Sequence, residues 1–308
     1  MDEKIYDLII IGAGPAGLGA SIYASRYKLD HLVIGSEVGG QVTEAWEIEN
    51  YAGFEKISGR ELMDRFRKQS ESLGAEIKTG LVGKVEKTGD FFKVHTEDGK
   101  TFLSKSLILA LGMKPRKLEI PGEDELVGKG VSFCATCDAM FFRGKDVVVI
   151  GGGDAAATAA IHLSEFANKV YMMFVSGGLI LEPFCMEKIK ENYKIEMIEC
   201  SKITGILGQE KVNGISYDKN EEKKELSVQG VFIEIGSSPG VAIAYALGVI
   251  TDDHDYIIVD QTQATNVENV YAAGDVTTGS NKFRQIITAV AEGAVASGSV
   301  YRKLKLNK

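Results

Sequence analysis

Apolar residues recur along this chain in short unbroken runs that feed glycine-rich turns, and each such turn opens a stretch with helical spacing. Asp7 to Ile11 is an apolar β-run leading into Gly12-x-Gly14-x-x-Gly17; a helical pattern continues through Arg26, and a second apolar run covers His31 to Ile34. The order predicted is strand, turn, helix, strand. The same pattern returns later: a run from Asp146 to Ile150, then Gly151-x-Gly153-x-x-Ala156, an alanine-rich helix, and a closing strand from Lys169 to Val175. An internal repeat of this kind implies two related α/β domains rather than one enlarged sheet.

The glycine spacing carries chemistry. In a βαβ unit the first glycine makes the turn, the second lets backbone approach a pyrophosphate, and the third lets the helix pack on the strand. Glu37 stands about 20 residues beyond the last glycine, where the fingerprint expects an acceptor for ribose hydroxyls. Between Ser201 and Ile235 the pattern breaks into short alternating runs with a charged tip, Glu221-Glu222-Lys223-Lys224, which reads as a solvated hairpin turn. Val270 to Ala273 forms a short strand ending in Gly274 and Asp275, and a small-residue helix starts near Arg284. Such a strand end places Asp275 against a ligand hydroxyl, or makes it a helix N-cap.

Between the two glycine loops lies Cys134-Ala135-Thr136-Cys137-Asp138. Two thiols separated by two residues can close a small disulfide, depress one thiol pKa and exchange electrons in pairs. That is dithiol-exchange chemistry, and its two-electron partner would be a flavin or nicotinamide dinucleotide. Asp138, next to the pair, can shuttle the proton when a thiolate leaves, or can cap a helix.

Composition narrows the classes. The 308 residues suffice for two domains of ordinary size, and 44% hydrophobic with 25% charged residues is a soluble globular balance. No run approaches the roughly 18 apolar residues of a membrane span. The N-terminus passes into a strand without the apolar segment of a secretory signal, so the expected location is the cytoplasm. A net charge of −8 argues against nucleic acid as a partner and leaves proteins and small molecules. With four cysteines there is no secreted disulfide framework. A four-thiolate zinc site lacks a second tight pair, and Cys185 and Cys200 read as small core residues.

Taken in order, the first glycine loop, Gly39-Gly40-Gln41, Glu49-Asn50, Cys-Ala-Thr-Cys-Asp, the second glycine loop and Ala-Gly-Asp followed by Arg284-Gln285 resemble the low-molecular-weight thioredoxin reductases. The resemblance covers essentially the whole chain. It implies an α/β protein of two Rossmann-like three-layer dinucleotide-binding domains, the second inserted in the first. The FAD domain would be discontinuous, 1–113 plus 244–308, and 114–243 would carry the thiol pair and the nicotinamide-type loop, with the chain breaking after Gly112, near Pro115, and again near Pro239-Gly240. It further implies FAD on Gly12, Gly14, Pro15, Ala16 and Gly17, with Glu37 on the adenosine ribose and Gly40, Gln41 and Asn50 along its length. Gly274, Asp275, Arg284, Gln285 and Ile286 would close over the flavin. Cys137 resembles the thiol that faces the flavin, Cys134 the one that attacks a thioredoxin disulfide, and Asp138 the acid/base. In the implied cycle the central domain turns to expose Cys134, because a pair stacked on flavin cannot also reach a protein. A homodimer is implied by the resemblance alone.

At the second loop the chain departs from that family. Enzymes that choose NADPH place arginines just beyond the second strand to pair with the 2'-phosphate. The reductases it resembles hold a histidine and two arginines there, with a third a few residues on. Here the stretch reads Met172-Met173-Phe174-Val175-Ser176-Gly177-Gly178, with no cation until Lys188. An NADH site wants an acid at the strand end, and the first is Glu182. The family's histidine after the glycine near the return crossing is replaced by Ser237-Ser238-Pro239 after Gly236. NADPH and NADH are therefore both doubtful as donors. The reading expected is passage of electrons from FAD through Cys134 and Cys137 to a thioredoxin-like protein, with reduced ferredoxin or a reduced deazaflavin as donor. An NAD(P)H-dependent thioredoxin reductase with a divergent site, and an FAD-dependent dithiol oxidase passing electrons to oxygen, stay open. A flavin-bound redox sensor has no positive support. Phe141 and Phe142 read as core packing more than docking surface, Trp46 as packing more than flavin contact, and His31, His95, His162 and His254 as surface or packing residues.

Overall fold

The first apolar run forms β1 (Ile5–Ile11), followed by α1 (Pro15–Arg26) and β2 (His31–Gly35), the order the glycine loop predicts. Next come α2 (Gly59–Ser72), β3 (Glu76–Thr79), an antiparallel hairpin of β4 (Val82–Thr88) and β5 (Phe91–Thr96), and β6 (Thr101–Leu109). Ser58 starts α2 by accepting the Glu61 backbone N–H through its hydroxyl at 3.2 Å. The computed structural model describes residues 4–45 and 47–306, so the expectation for Trp46 lies outside the described residues.

After β7 (Met113–Pro115) the chain enters a second unit, Pro115–Ser238. It holds β8 (Val131–Ser132), α3 (Ala135–Asp138), β9 (Asp146–Ile150), α4 (Asp154–Ser164), β10 (Lys169–Val175), α5 (Pro183–Glu191) and β11 (Ile195–Cys200). Three antiparallel strands follow, β12 (Lys202–Gly208), β13 (Val212–Lys219) and β14 (Glu222–Leu226), before β15 (Gly230–Ile233). The parallel sheet runs β11-β10-β9-β15-β8. Its core strands are apolar on both faces, as a covered parallel sheet requires. Val147, Val149 and Met172 pack under α4 and α5, while Val148, Ile150 and Met173 pack against the three-stranded sheet through Ile203, Ile206 and Ile215.

β16 (Ser237–Pro239) carries the chain back to the first unit, which is completed by α6 (Ala242–Ala246), β17 (Val270–Ala272) and α7 (Ile286–Tyr301). β6 pairs with β1 along one edge; its other edge is shared, Thr101 to Ser104 pairing with β5 and Leu107 to Leu109 with β17. The result is a parallel sheet β3-β2-β1-β6-β17 with the hairpin attached to the early half of β6. Leu8, Ile10 and Val33 point to α1 and α7; Ile9, Ile11 and Leu32 point to the hairpin and to Val241 and Ala244. Each such fully buried side chain contributes about 1.5–3 kcal/mol.

One expectation is refined and one corrected. The chain re-enters the first unit at Pro239, at the Pro239-Gly240 break and a few residues ahead of the 244 bound. Val241 and Ala244 are buried in the same core as Ile9 and Leu107, so that stretch belongs to the first unit. The hairpin tip is Asn220-Glu221, both with positive φ, whereas Glu222, Lys223 and Lys224 lie in β14 paired to Lys219, Asp218 and Tyr217. A two-residue loop with both central residues left-handed is the turn whose twist matches the strands.

Candidate functional site

The parallel strands of the first unit end on one side, and the residues just past their ends converge. Gly12 to Ala16 follow β1, Ser36 and Glu37 follow β2, Ala110 to Met113 follow β6, and Ala273 to Asp275 follow β17; together they line a cleft of about 370 Å³. Open parallel sheets bind ligands outside the carboxyl ends of their strands, so the placement is what the topology dictates. Gly40, Gln41, Arg284, Gln285 and Ile286 complete the wall. Of the residues expected around the cofactor, Gly17 and Asn50 do not line the cleft.

Three glycines divide the labour at the mouth of α1. Gly12 has φ +114°, and a Cβ there would stand 1.9 Å from the Ala110 carbonyl oxygen. A Cβ on Gly17 would stand 1.9 Å from the Gly12 carbonyl oxygen, so Gly17 serves helix packing. Gly14 differs: its nearest neighbour would be the Gly39 carbonyl oxygen at 3.9 Å. The space beside it belongs to the cleft. Gly14 is also the N-cap of α1, with Pro15 following and no side chain capping the helix, so the end of the helix dipole is left for an anion.

The opposite wall comes from the C-terminal segment. Gly274, at φ +84°, packs against Ala16, where a Cβ would approach the Ala16 Cβ to 2.9 Å. Asp275 follows it. Burial pushes its carboxyl above the usual range; Arg284 pulls it down and Glu292 pushes it further up. The Arg284 guanidinium lies 4.1 Å from the centre of the Tyr256 ring. Gln285 receives the Asn50 amide at 3.0 Å, so Asn50 acts by holding a wall residue. Glu37 accepts the Thr43 hydroxyl at 3.3 Å. Among the described residues neither Asp275 nor Asp138 forms a side-chain helix cap, which removes that alternative for both.

Sequence reasoning missed several wall residues. Ala110 to Met113 become recognisable only once β6 is seen to pair with β1 and to end at Leu109, because ligands sit past strand ends. Glu44 also lines the cleft, its carboxyl pushed up by burial and by Glu37 nearby. The residues fit FAD: an open glycine at an uncapped helix N-terminus suits a pyrophosphate, and the carboxylates of Glu37 and Asp275 suit hydroxyl-bearing parts.

In the second unit Cys134 and Cys137 are joined as a disulfide, with Cα atoms 5.4 Å apart. Ala135 and Ala139 anchor the turn in the core formed with Ala156, Ala157 and Ala160, leaving Cys137 exposed and Cys134 and Asp138 half-buried. The Cys137 backbone N–H donates to Cys134 Sγ at 3.2 Å. Just beyond, the two phenylalanines part: Phe142 is 6% exposed and stacks edge-on to Phe232, while Phe141 is 72% exposed. The expectation that both serve the core is corrected for Phe141, because a tight 3₁₀ turn over Ala139–Phe142 sends adjacent side chains to different sides. Cys200 is buried as expected and Cys185 only half so.

The second glycine loop keeps the shape of the first. A Cβ on Gly151 would meet the Glu234 carbonyl oxygen at 2.2 Å, whereas one on Gly153, at the N-cap of α4, meets nothing within 4 Å. The segment after β10 is held down by the Ile180 N–H on the Gly152 carbonyl at 2.7 Å and the Glu182 N–H on Asp154 Oδ1 at 2.8 Å. Val175, Ser176 and Gly177 are exposed there, with Val175 at 47% and Ile180 at 78%.

Comparison with known proteins agrees with this architecture. The family of pyridine nucleotide-disulphide oxidoreductases matches residues 6–293. A thioredoxin reductase of Listeria monocytogenes is 40% identical over 96% of this chain and 92% of its own length. The crystal structure of T. acidophilum thioredoxin reductase superposes with a TM-score of 0.92 at 37% identity, covering 98% of this chain and 99% of that one. A ferredoxin-flavin thioredoxin reductase from Clostridium acetobutylicum is 32% identical, with a TM-score of 0.54 and coverage of 98% and 99%. A cleft built for a flavin dinucleotide, a closed Cys-x-x-Cys pair and these matches over nearly the whole length agree: the chain belongs to the FAD-dependent pyridine nucleotide-disulphide oxidoreductases, in their low-molecular-weight thioredoxin reductase branch.

Proposed function

We propose that this protein reduces the disulfide of thioredoxin or a similar protein through Cys134 and Cys137, and that it takes its electrons from a donor other than NADPH, either reduced ferredoxin or a reduced deazaflavin. One observation carries the donor assignment. Where a 2'-phosphate needs cations, the surface past β10 presents Val175, Ser176, Gly177 and Ile180. The first cation, Lys188, lies on α5 with its ammonium 4.4 Å from the centre of the Phe184 ring. A charge-assisted hydrogen bond is worth about 1.5–3 kcal/mol, so the loss of several weakens NADPH by orders of magnitude. The similarity to a ferredoxin-flavin thioredoxin reductase supports the same donor class.

FAD, when bound, supplies a two-electron reservoir. The chain's own residues do the rest. FAD would rest on Gly12, Gly14, Pro15, Ala16 and Glu37, with Gly17 fitting α1 to its strand, and on Gly40, Gln41, Gly274, Asp275, Arg284, Gln285 and Ile286, with Asn50 holding Gln285. Opening the disulfide with two electrons breaks the S–S bond and leaves two thiolates to be protonated or stabilised. The Cys137 N–H, already directed at Cys134 Sγ, stabilises a thiolate there. That supports Cys134 as the nucleophile toward the partner disulfide, once the bond opens and this half-buried sulfur can turn outward. Asp138 stands beside Cys137 to take and return the proton. Phe141 and Met140, exposed next to the pair, suit a protein acceptor.

The test is an anaerobic titration of the bound flavin with NADPH, NADH, reduced ferredoxin and reduced deazaflavin in turn. Bleaching by ferredoxin or deazaflavin, with NADPH inert, is expected. Rapid bleaching by micromolar NADPH overturns the donor assignment. Bleaching only by a small dithiol, with recovery in air, makes the protein a dithiol oxidase.

A further inference from the structure

Glu292 is a carboxylate in the wrong place for a helix that only packs. It lies in α7, 6% exposed. A buried carboxylate stabilises a fold poorly, and an apolar residue of similar volume would serve packing as well. Its partners explain its presence. Oε2 accepts the Gly274 N–H at 2.8 Å and lies 3.2 Å from the Thr277 hydroxyl, which in turn accepts the Gly279 N–H at 3.0 Å. Gly279 has no room for a side chain, because a Cβ there would stand 2.6 Å from Glu292 Oε1. One carboxylate thus gathers the turn from Gly274 to Gly279, and Asp275 rides on that turn.

The carboxylate is itself held rigidly. Gly293, the next residue, lets α7 lie against the first turn of α1: a Cβ there would meet the Ala16 carbonyl oxygen at 2.1 Å. Ala16 also lines the cleft. The position of Glu292 is therefore referenced to the helix that presents Gly14, and the turn it gathers is referenced to the same point.

We propose that Glu292, which does not line the cleft, is a positioning residue for FAD: it fixes the Gly274–Gly279 turn so that Asp275 meets the cofactor, and it sets its carboxylate behind the wall that carries Asp275. The proposal rests on reading this cleft as the FAD site. A purely structural carboxylate would alter stability alone; a positioning one alters cofactor affinity and potential.

The test uses full-length protein stripped of flavin and titrated with FAD, together with the flavin midpoint potential of reloaded protein and the thermal midpoint of the apoprotein. Glu292→Gln keeps an acceptor for Gly274 and removes the charge. It should bind FAD within about threefold of the parent, with a more positive flavin potential, because a negative charge opposing reduction has gone. Glu292→Ala leaves the Gly274 N–H without its partner and should weaken FAD by about tenfold or more. Gly279→Ala displaces the carboxylate without removing its charge; it should weaken FAD in a folded apoprotein, and it decides the matter if Glu292→Ala does not fold. Asp275→Ala separates the two readings. If Asp275→Ala weakens FAD while the Glu292 and Gly279 variants match the parent in affinity and potential, Glu292 is not a positioning residue. If Asp275→Ala also binds FAD as the parent does, the cleft assignment fails and the proposal goes with it.

Discussion

Asn50 donates its amide to Gln285 Oε1 at 3.0 Å across 235 positions of sequence, tying the loop before α2 to the start of α7. The bond fastens a wall residue of the cleft to a loop that does not itself line it. Asn50→Ala should weaken FAD by about threefold to tenfold, the worth of one exposed-to-half-buried hydrogen bond. Fluorescence titration of the apoprotein measures it, and unchanged affinity would show that Gln285 stands without help.

Gly12 and Gly14 should respond oppositely to one methyl group. Gly12→Ala forces a left-handed φ on alanine and drives Cβ into the Ala110 carbonyl, so it should cost the apoprotein about 3 kcal/mol or more. Gly14→Ala has room in the apoprotein and should leave its thermal midpoint near the parent's, yet it fills space in the cleft and should abolish tight FAD binding. Equal apoprotein destabilisation by both would contradict the division of roles.

Cys134→Ser should leave reduction of the bound flavin by its donor intact and abolish thioredoxin turnover. Anaerobic flavin bleaching and insulin-coupled turnover read the two halves separately. Full disulfide reductase activity in Cys134→Ser would sink the assignment of the nucleophile.

Arginines at Val175 and Ser176 should restore part of a 2'-phosphate site. Both positions are exposed, so the substitutions disturb no core. Each bidentate arginine–phosphate pair is worth about 1.5–3 kcal/mol, so the double variant should bind NADPH at least about tenfold more tightly than the parent does. No improvement in NADPH binding or in flavin reduction by NADPH would mean that these cations are not what the second loop lacks.

Asp7 makes the first unit sensitive to acid. Burial pushes its carboxyl up, but Lys105 at 2.7 Å and Lys305 at 2.9 Å outweigh it and hold the group below the usual 3.8. The folded value is thus lower than the unfolded one. The stabilisation is full above the unfolded pKa and disappears as pH falls through the folded one. Asp7→Asn should lower stability by about 1–3 kcal/mol at neutral pH and by progressively less in acid. Denaturant midpoints between pH 7 and pH 3 test this, and a constant difference would contradict it.

Both βαβ units were legible in the sequence, because a strand, its glycine loop and its helix are contiguous and their spacing is set by local geometry. The cysteine pair was legible for the same reason. Ala110 to Met113 and Glu292 were not: their roles arise when β6 docks beside β1 and when α7 docks on α1, and no local pattern encodes those pairings. Phe141 and Phe142 show a finer limit. Adjacent identical side chains carry no signal of which one a single 3₁₀ turn will bury. The breaks near Pro115 and Pro239-Gly240 were legible from their turn-forming residues, whereas Val241 and Ala244 declare their allegiance only through the core they enter.

The shared edge of β6 has a consequence for synthesis. Half of that edge waits for β17, and the cleft waits further for the start of α7, so neither exists until the chain has been made through about residue 289. The second unit is contiguous and has its parallel sheet in hand long before. Flavin is therefore a late ligand in the life of each molecule, and the thiol pair is framed by a finished core while its electron source still has no seat.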